Sequence, residues 1–355
     1  MSIKALQIFT FTTLLFILGN AALSSEIDHT SVFFPFSHIE YRPDVHTENA
    51  DLDEFEWEIG TDFIHLLNYK KMRFLGEFVA SNHKVEMERL QFGFNINEEN
   101  TLWMGRYHAP LGYWNSNYHH GLHLQTSVHR PGIIEYEEDA GVLANHITGF
   151  LFEGQNSGDG LLKYAIATGF SPTLKDELIA PTAFGDINSN LHHIAKVSYQ
   201  FDELSPTEYG AVVSHSTMDI EKDGNSVASV SQYFAGLYTH QSLRRARITT
   251  SAYFVNNDFS SYIANDYTSK FMAGYIHLEY DLASKWIVYG RIERTLGGRH
   301  DPYLDIFEHN ETQRNLGGLR FDITRRHAIS TEVSNRVADH ESHTHISLQW
   351  SAVYP

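Results

Sequence analysis

The chain has 355 residues, a formal net charge of −18 and no cysteine, and 13% of its side chains are aromatic. So large an acidic excess disfavours a nucleic-acid partner. The absence of thiols excludes disulfides, thiolate metal sites and cysteine nucleophiles.

The first element is a leader. Lys4 is the only charge before Glu26, and an apolar run from Ile8 to Leu18 is broken only by threonines. Small residues follow, from Gly19 to Ser25. A basic start, a short apolar core and a small-residue exit predict a secretory signal peptide over 1–24, cut between Ala22 and Ser25. The apolar stretch is shorter than the ~20 residues of a spanning helix. The remainder, 25–355, reads as one domain and contains no helix-length apolar run.

From there the pattern has a period of two. Phe92, Phe94 and Ile96 alternate with Gln91, Gly93 and Asn95. Val197, Tyr199 and Phe201 alternate with Lys196, Ser198 and Gln200. Ile346, Leu348, Trp350, Ala352 and Tyr354 alternate with His345, Ser347, Gln349, Ser351 and Val353. Successive side chains on a strand point to opposite faces, so each such segment has one apolar and one polar face. Strands are predicted near 33–41, 54–66, 70–80, 86–97, 101–108, 142–154, 161–170, 190–202, 207–217, 227–241, 243–255, 269–281, 284–296, 311–323, 326–337 and 342–354. The fold class is all-β: a transmembrane antiparallel β-barrel of about 16 strands, or about 14 if the first hairpin is irregular. Only a closed barrel satisfies every backbone group of a strand in lipid. Long outer loops are predicted at 42–53, 81–85, 109–141, 171–189, 218–226, 256–268, 297–310 and 338–341, alternating with short turns.

The longest connection, 109–141, is rich in aromatics. Loops of this length without strands of their own are commonly functional. The expectation is that it folds into the lumen and narrows it, with Arg106, His108, Arg130, Glu135, Glu137, Glu138 and Asp139 forming or supporting the constriction. Tyr113, Trp114 and Tyr118 would buttress it. Strand parity places Arg89, Lys196, Arg245, Arg247, His277, Glu279, Arg291, Glu293, Arg320, Asp322, Glu332 and Arg336 on the polar, lumen face. Acids and bases occur together there, so pairing across neighbouring strands is expected for many of them. Arg245 and Arg247, two apart, could form part of a basic track for an anionic solute.

Gly105-Arg106-Tyr107-His108-Ala109-Pro110-Leu111-Gly112-Tyr113 resembles the strand-to-loop passage of the phosphate-selective (O/P-type) porin superfamily. The run from Gly318-Leu319-Arg320-Phe321-Asp322-Ile323 through Ser330-Thr331-Glu332 to Trp350 is similar to that group's closing strands. The resemblance implies a 16-stranded outer-membrane channel, commonly a homotrimer, passing small hydrophilic solutes or ions without a cofactor. Its anion selectivity depends on basic constriction residues, whereas this loop has an acidic run at Glu135, Glu137, Glu138 and Asp139. Phosphate specificity is therefore not carried over.

Two other readings start from residue types. The chain has 22 histidines, and imidazole is a common ligand of divalent transition metals. His119, His120 and His123 would serve a metal-binding channel or receptor. An outer-membrane barrel hydrolase would need a Ser–His constellation. Ser214-His215-Ser216 supplies the types, but neighbours on a strand face opposite ways.

Overall fold

The computed structural model describes residues 29–43, 55–82, 85–118, 122–137, 141–182, 190–202, 206–222, 225–261, 266–298, 300–307, 310–338 and 341–354. The leader predicted over 1–24 lies outside them.

Eighteen strands form one sheet. They are β1 His29–Pro43, β2 Phe55–Tyr69, β3 Met72–Ser81, β4 Val85–Asn95, β5 Asn100–His108, β6 His146–Ser157, β7 Leu161–Phe170, β8 Thr173–Lys175, β9 Leu178–Ala180, β10 Leu191–Gln200, β11 Glu208–Lys222, β12 Asn225–Leu243, β13 Ala246–Ser261, β14 Tyr267–Ala283, β15 Trp286–Leu296, β16 Glu311–Thr324, β17 His327–Ala338 and β18 Glu341–Val353. Sixteen make a closed antiparallel ring, in which β7 pairs with β10 and β18 returns to β1. β8 and β9 form a small hairpin outside the ring, with β8 running parallel to β11 at Leu174 and Ile220.

Closure pairs Phe36 with Val353 through Tyr41 with Leu348. Tyr354, one residue past β18, still donates its backbone N–H to the Pro35 carbonyl at 2.9 Å. Its ring meets His327 edge-on, and His327 stacks on Trp350 at 5.8 Å. Near the same end, Trp286 packs on Phe321 at 4.4 Å. Aromatic rings gathered at a barrel end suit the membrane–water interface.

The two faces of the wall are inverted relative to a water-soluble protein. Phe92, Phe94, Ile276, Leu278, Val333, Ile346 and Leu348 are exposed outward. Their strand neighbours Gln91, His277, Glu279, Glu332, Ser347 and Gln349 are buried inward. An apolar belt around a polar interior places this barrel in lipid, where its unbroken hydrogen-bond ring is required.

The predicted loops at 218–226 and 256–268 are largely strand. β11 continues to Lys222 before β12 starts at Asn225, and β13 reaches Ser261 before β14 starts at Tyr267. Beyond the lipid the outward face turns polar, with Asp219, Asp258 and Ser260, while Met218, Val230 and Phe259 are buried inside, so the apolar-out alternation reverses while the backbone ladder continues. The β8–β9 hairpin lies inside the predicted 171–189 loop, and strands of three residues are too short to show a period.

Candidate functional site: an inner loop and the wall that holds it

The connection from β5 to β6 lies against the inward side chains of the barrel. A buried loop must satisfy its own main chain, and the contacts show how it does so. Gly112 takes a φ of 148°, and a Cβ there would meet the Tyr253 hydroxyl. That hydroxyl donates to the Leu111 carbonyl at 2.8 Å. A short helix α1, Tyr113–Asn117, follows. Asn115 Nδ2 donates back to the Ala109 carbonyl, and Lys196 Nζ donates to Ser116 Oγ. The predicted buttresses pack on the wall. Tyr113 stacks on His240 at 4.1 Å, and Trp114 contacts His277 and Tyr118. Burial pushes the Tyr113 phenol up to about 12, so it stays neutral at ordinary pH.

The segment from His123 to Gly132 runs along β15 to β18. Arg320 donates to the carbonyls of His123 and Gln125, at 2.8 and 2.6 Å. Glu332 accepts from the Val128 N–H at 3.1 Å and contacts His129 Nδ1 at 2.6 Å. Arg291 donates to the carbonyls of His129 and Arg130, at 3.0 and 2.8 Å, while its Nε donates to Glu293. Arg314 donates to the Arg130 carbonyl at 2.8 Å. Glu293 accepts from the Gly132 N–H at 2.6 Å. Farther on, the Tyr303 hydroxyl donates to the Val142 carbonyl at 2.9 Å. Charged donors and acceptors inside a protein make stronger hydrogen bonds than neutral ones. A guanidinium with five N–H groups can serve two carbonyls and a carboxylate together.

Other lumen charges pair among themselves. Arg247 reaches Glu279 at 2.6 Å and Asp281 at 2.9 Å, and Glu279 also contacts His277 at 3.1 Å. Arg336 reaches Glu311 at 2.9 Å. Arg320 Nε donates to Asp322 at 2.8 Å. Arg89 reaches Glu77 at 2.6 Å. The placement of Arg245 is corrected: it lies exposed in the turn between β12 and β13, because parity stops applying where a strand ends. Arg245 and Arg247 therefore form no track.

Of the constriction residues, Arg130 is buried, stacks on Tyr136 at 3.9 Å and donates to Asn115. Glu135 faces Arg314 at 3.4 Å. Glu137 is bound to His146 and to the backbone of Asn145 and His146. Arg106 and His108 sit on β5, and His108 lies with Glu88 and His146 near Glu137. Glu138 and Asp139 lie outside the described residues. The described part of the acidic run is thus occupied by structural partners.

Of the histidine trio, only His123 lies among the described residues; His119 and His120 lie outside them. His123 contacts Ser351 at 3.4 Å beside the Arg320 guanidinium. Burial first, and Arg320 second, lower its pKa. A neighbouring guanidinium also opposes a second cation there. Ser214 does find a histidine, on the next strand: His192 Nε2 lies 2.8 Å from its Oγ. Among the described residues His192 Nδ1 meets no acid that would orient the ring, as an activated nucleophile requires.

Arg314 was missed by sequence reading. It shares the parity of Arg320, but Leu316 and Gly318 interrupt the polar face between them.

Comparison with known proteins agrees on the fold. No family model and no curated protein matches the sequence. Among solved structures, an anion-selective porin from Comamonas acidovorans superposes with a TM-score of 0.60 at 10% identity, covering 92% of this chain and 100% of that one. The fold is that of outer-membrane porins. The outer-membrane channel DcaP of Acinetobacter baumannii gives 0.58 at 11% identity, covering 94% of this chain and 100% of that one. OmpT of Vibrio cholerae in its trimer form gives 0.57 at 10% identity, with 92% and 99% covered.

Proposed function

We propose that this protein is an outer-membrane channel through which small hydrophilic solutes or ions diffuse passively, narrowed by the inner loop that follows β5. The observation that carries the reading is the seating of residues 123–132 on the inner wall by Arg291, Arg314, Arg320, Glu293 and Glu332. A surface loop has water to satisfy its main chain and no need of buried guanidiniums. A segment fixed on the inner wall takes up part of the lumen and so restricts what passes, and rigid anchoring keeps that restriction constant.

The reading includes export by the 1–24 leader, an outer-membrane site for 25–355 and lipid contact around the apolar belt. It includes a homotrimer, supported by the trimer form of a barrel of the same fold. It requires no cofactor and no catalysis. Because Glu135 and Glu137 are engaged by Arg314 and His146, they would support the loop rather than act as an open cation filter. Selectivity would then arise from lumen groups not spent on the loop.

Planar-bilayer recording in a KCl gradient tests this. Discrete ohmic conductance steps are expected. Protein that folds in detergent yet gives no conductance would overturn the reading. The sign of the reversal potential assigns cation or anion preference.

A further inference from the structure

We propose that Glu88, His108 and His146 form a binding site for a divalent transition-metal ion of the zinc or copper class, with Glu137 of the inner loop as its positioning residue. The site lies where β4, β5 and β6 meet the loop, apart from His119, His120 and His123.

Four observations point there. First, one ligand atom from each of the three residues lies within 4.8 Å of the other two. His146 Nε2 is 2.8 Å and His108 Nε2 is 3.9 Å from Glu88 Oε2. Tetrahedral zinc with bonds of about 2.0–2.1 Å sets its ligands about 3.3 Å apart. Side-chain shifts of well under a bond length to about one bond length would complete the set.

Second, the backbone dictates the convergence. His108 and His146 face each other in the β5–β6 ladder. Glu88 sits at an irregularity: Glu77 pairs with Arg89 and Phe78 with Met87, leaving Glu88 as an extra residue in β4. Such bulges re-aim a side chain and are common beside functional sites.

Third, the histidine is oriented as metal ligands are. His146 presents Nε2 to Glu88 while its Nδ1 lies 2.6 Å from Glu137 Oε2. The other oxygen of Glu137 is held by the backbone N–H groups of Asn145 and His146, at 2.7 and 3.0 Å. A carboxylate behind an imidazole fixes the tautomer and raises the basicity of the coordinating nitrogen.

Fourth, the charges suit a dication. The ligands carry one carboxylate, the outer shell a second and nearby Glu77 a third, against two guanidiniums, Arg89 at 2.6 Å from Glu77 and Arg106, whose charge also acts on Glu88. Two imidazoles and one carboxylate select zinc, copper, nickel or cobalt over calcium and magnesium, which prefer oxygen throughout. Three protein ligands leave a coordination position for water or a passing solute. Because Glu137 belongs to the inner loop, an ion here would tie the loop's return limb to the wall.

The test uses the full, untagged chain folded in detergent and titrated calorimetrically with zinc chloride. One saturable ion per chain is expected. Glu88→Gln, and separately the pair His108→Ala with His146→Ala, should weaken binding at least tenfold, whereas replacing His119, His120 and His123 by Ala should leave it unchanged. Copper-loaded wild type should show two-nitrogen hyperfine structure in its electron paramagnetic resonance spectrum. Heat-modifiable gel migration confirms that each variant is folded. If a variant fails to fold, the wild-type titration and spectrum decide alone. No saturable zinc binding by wild type, or binding that survives in both Glu88 and double-histidine variants, overturns the site. So does binding that disappears with His119, His120 and His123. Conductance does not enter these readouts, so the site can fail while the channel stands, and the reverse.

Discussion

Two stretches of the same inner wall use charge differently. On β15 to β17, Arg291, Arg314, Arg320 and Glu332 are turned to the main chain of the loop. On β13 and β14, Arg247, His277, Glu279 and Asp281 satisfy one another. Both sets alternate with lipid-facing residues and look alike in sequence. The difference is what lies opposite. Where a loop arrives with unsatisfied carbonyls and N–H groups, the wall's charges become anchors. Elsewhere they close into ion pairs. The first set should govern loop position and stability together, and the second should affect neither strongly.

The largest effect should come from Arg291→Ala. The side chain is 1% exposed and serves two loop carbonyls and Glu293. Breaking a buried pair of this kind costs about 3–5 kcal/mol. A sharp fall in the thermal midpoint of heat-modifiable migration is expected. A midpoint equal to wild type would mean that the loop does not depend on this wall. Ile276→Arg comes next. It sets an arginine on the outward belt, at a cost of about 2–4 kcal/mol near the bilayer midplane. It should reduce folding yield in lipid vesicles, and an unchanged yield would place Ile276 outside the lipid belt.

Glu332→Gln keeps the shape but loses the charge facing His129, so about 1–3 kcal/mol is expected. Chemical-denaturation midpoints would show it. Arg247→Met should cost about 1 kcal/mol or less, because the group is partly exposed and its attraction is screened. Its single-channel conductance should stay within the spread of wild type, which would separate the self-paired patch from the anchoring wall. A conductance increase as large as that expected of the Arg291→Ala, Arg320→Ala double variant would erase the distinction.

The smallest effect concerns pH. His123 is held below its usual 6.5, so the folded state favours neutral imidazole. The unfolded chain then binds the extra proton between the lowered value and 6.5, and stability falls as pH drops through that window. His123→Gln should flatten this part of the stability–pH curve. An equally steep decline in the variant would assign it to other groups.

Most of the barrel was legible because lipid outside and water inside impose a period of two on every strand. The stretches near 92, 197 and 346 show it, and all sixteen ring strands lie where that period places them. The ends of β11 to β14 within 218–226 and 256–268 were not legible, because there the outward face meets water and the apolar residues, such as Met218 and Phe259, turn inward, reversing the pattern that marks the lipid-spanning part. The site was legible in its residue types but not in its roles. Parity places Arg291 and Arg247 on the same face and says nothing of which will meet a loop. Arg314 was hidden by Leu316 and Gly318, which break the polar face between it and Arg320. The convergence of Glu88, His108 and His146 depends on a bulge and on strands whose pairing in space no local pattern announces.

The central claim is that the loop after β5, held by the wall's guanidiniums, sets the width of the channel. Single-channel conductance of wild type against the Arg291→Ala, Arg320→Ala double variant tests it most directly, in the same bilayer and salt. Discrete steps in both proteins, larger and noisier in the variant, are what the account predicts. Identical steps from a folded variant would contradict it.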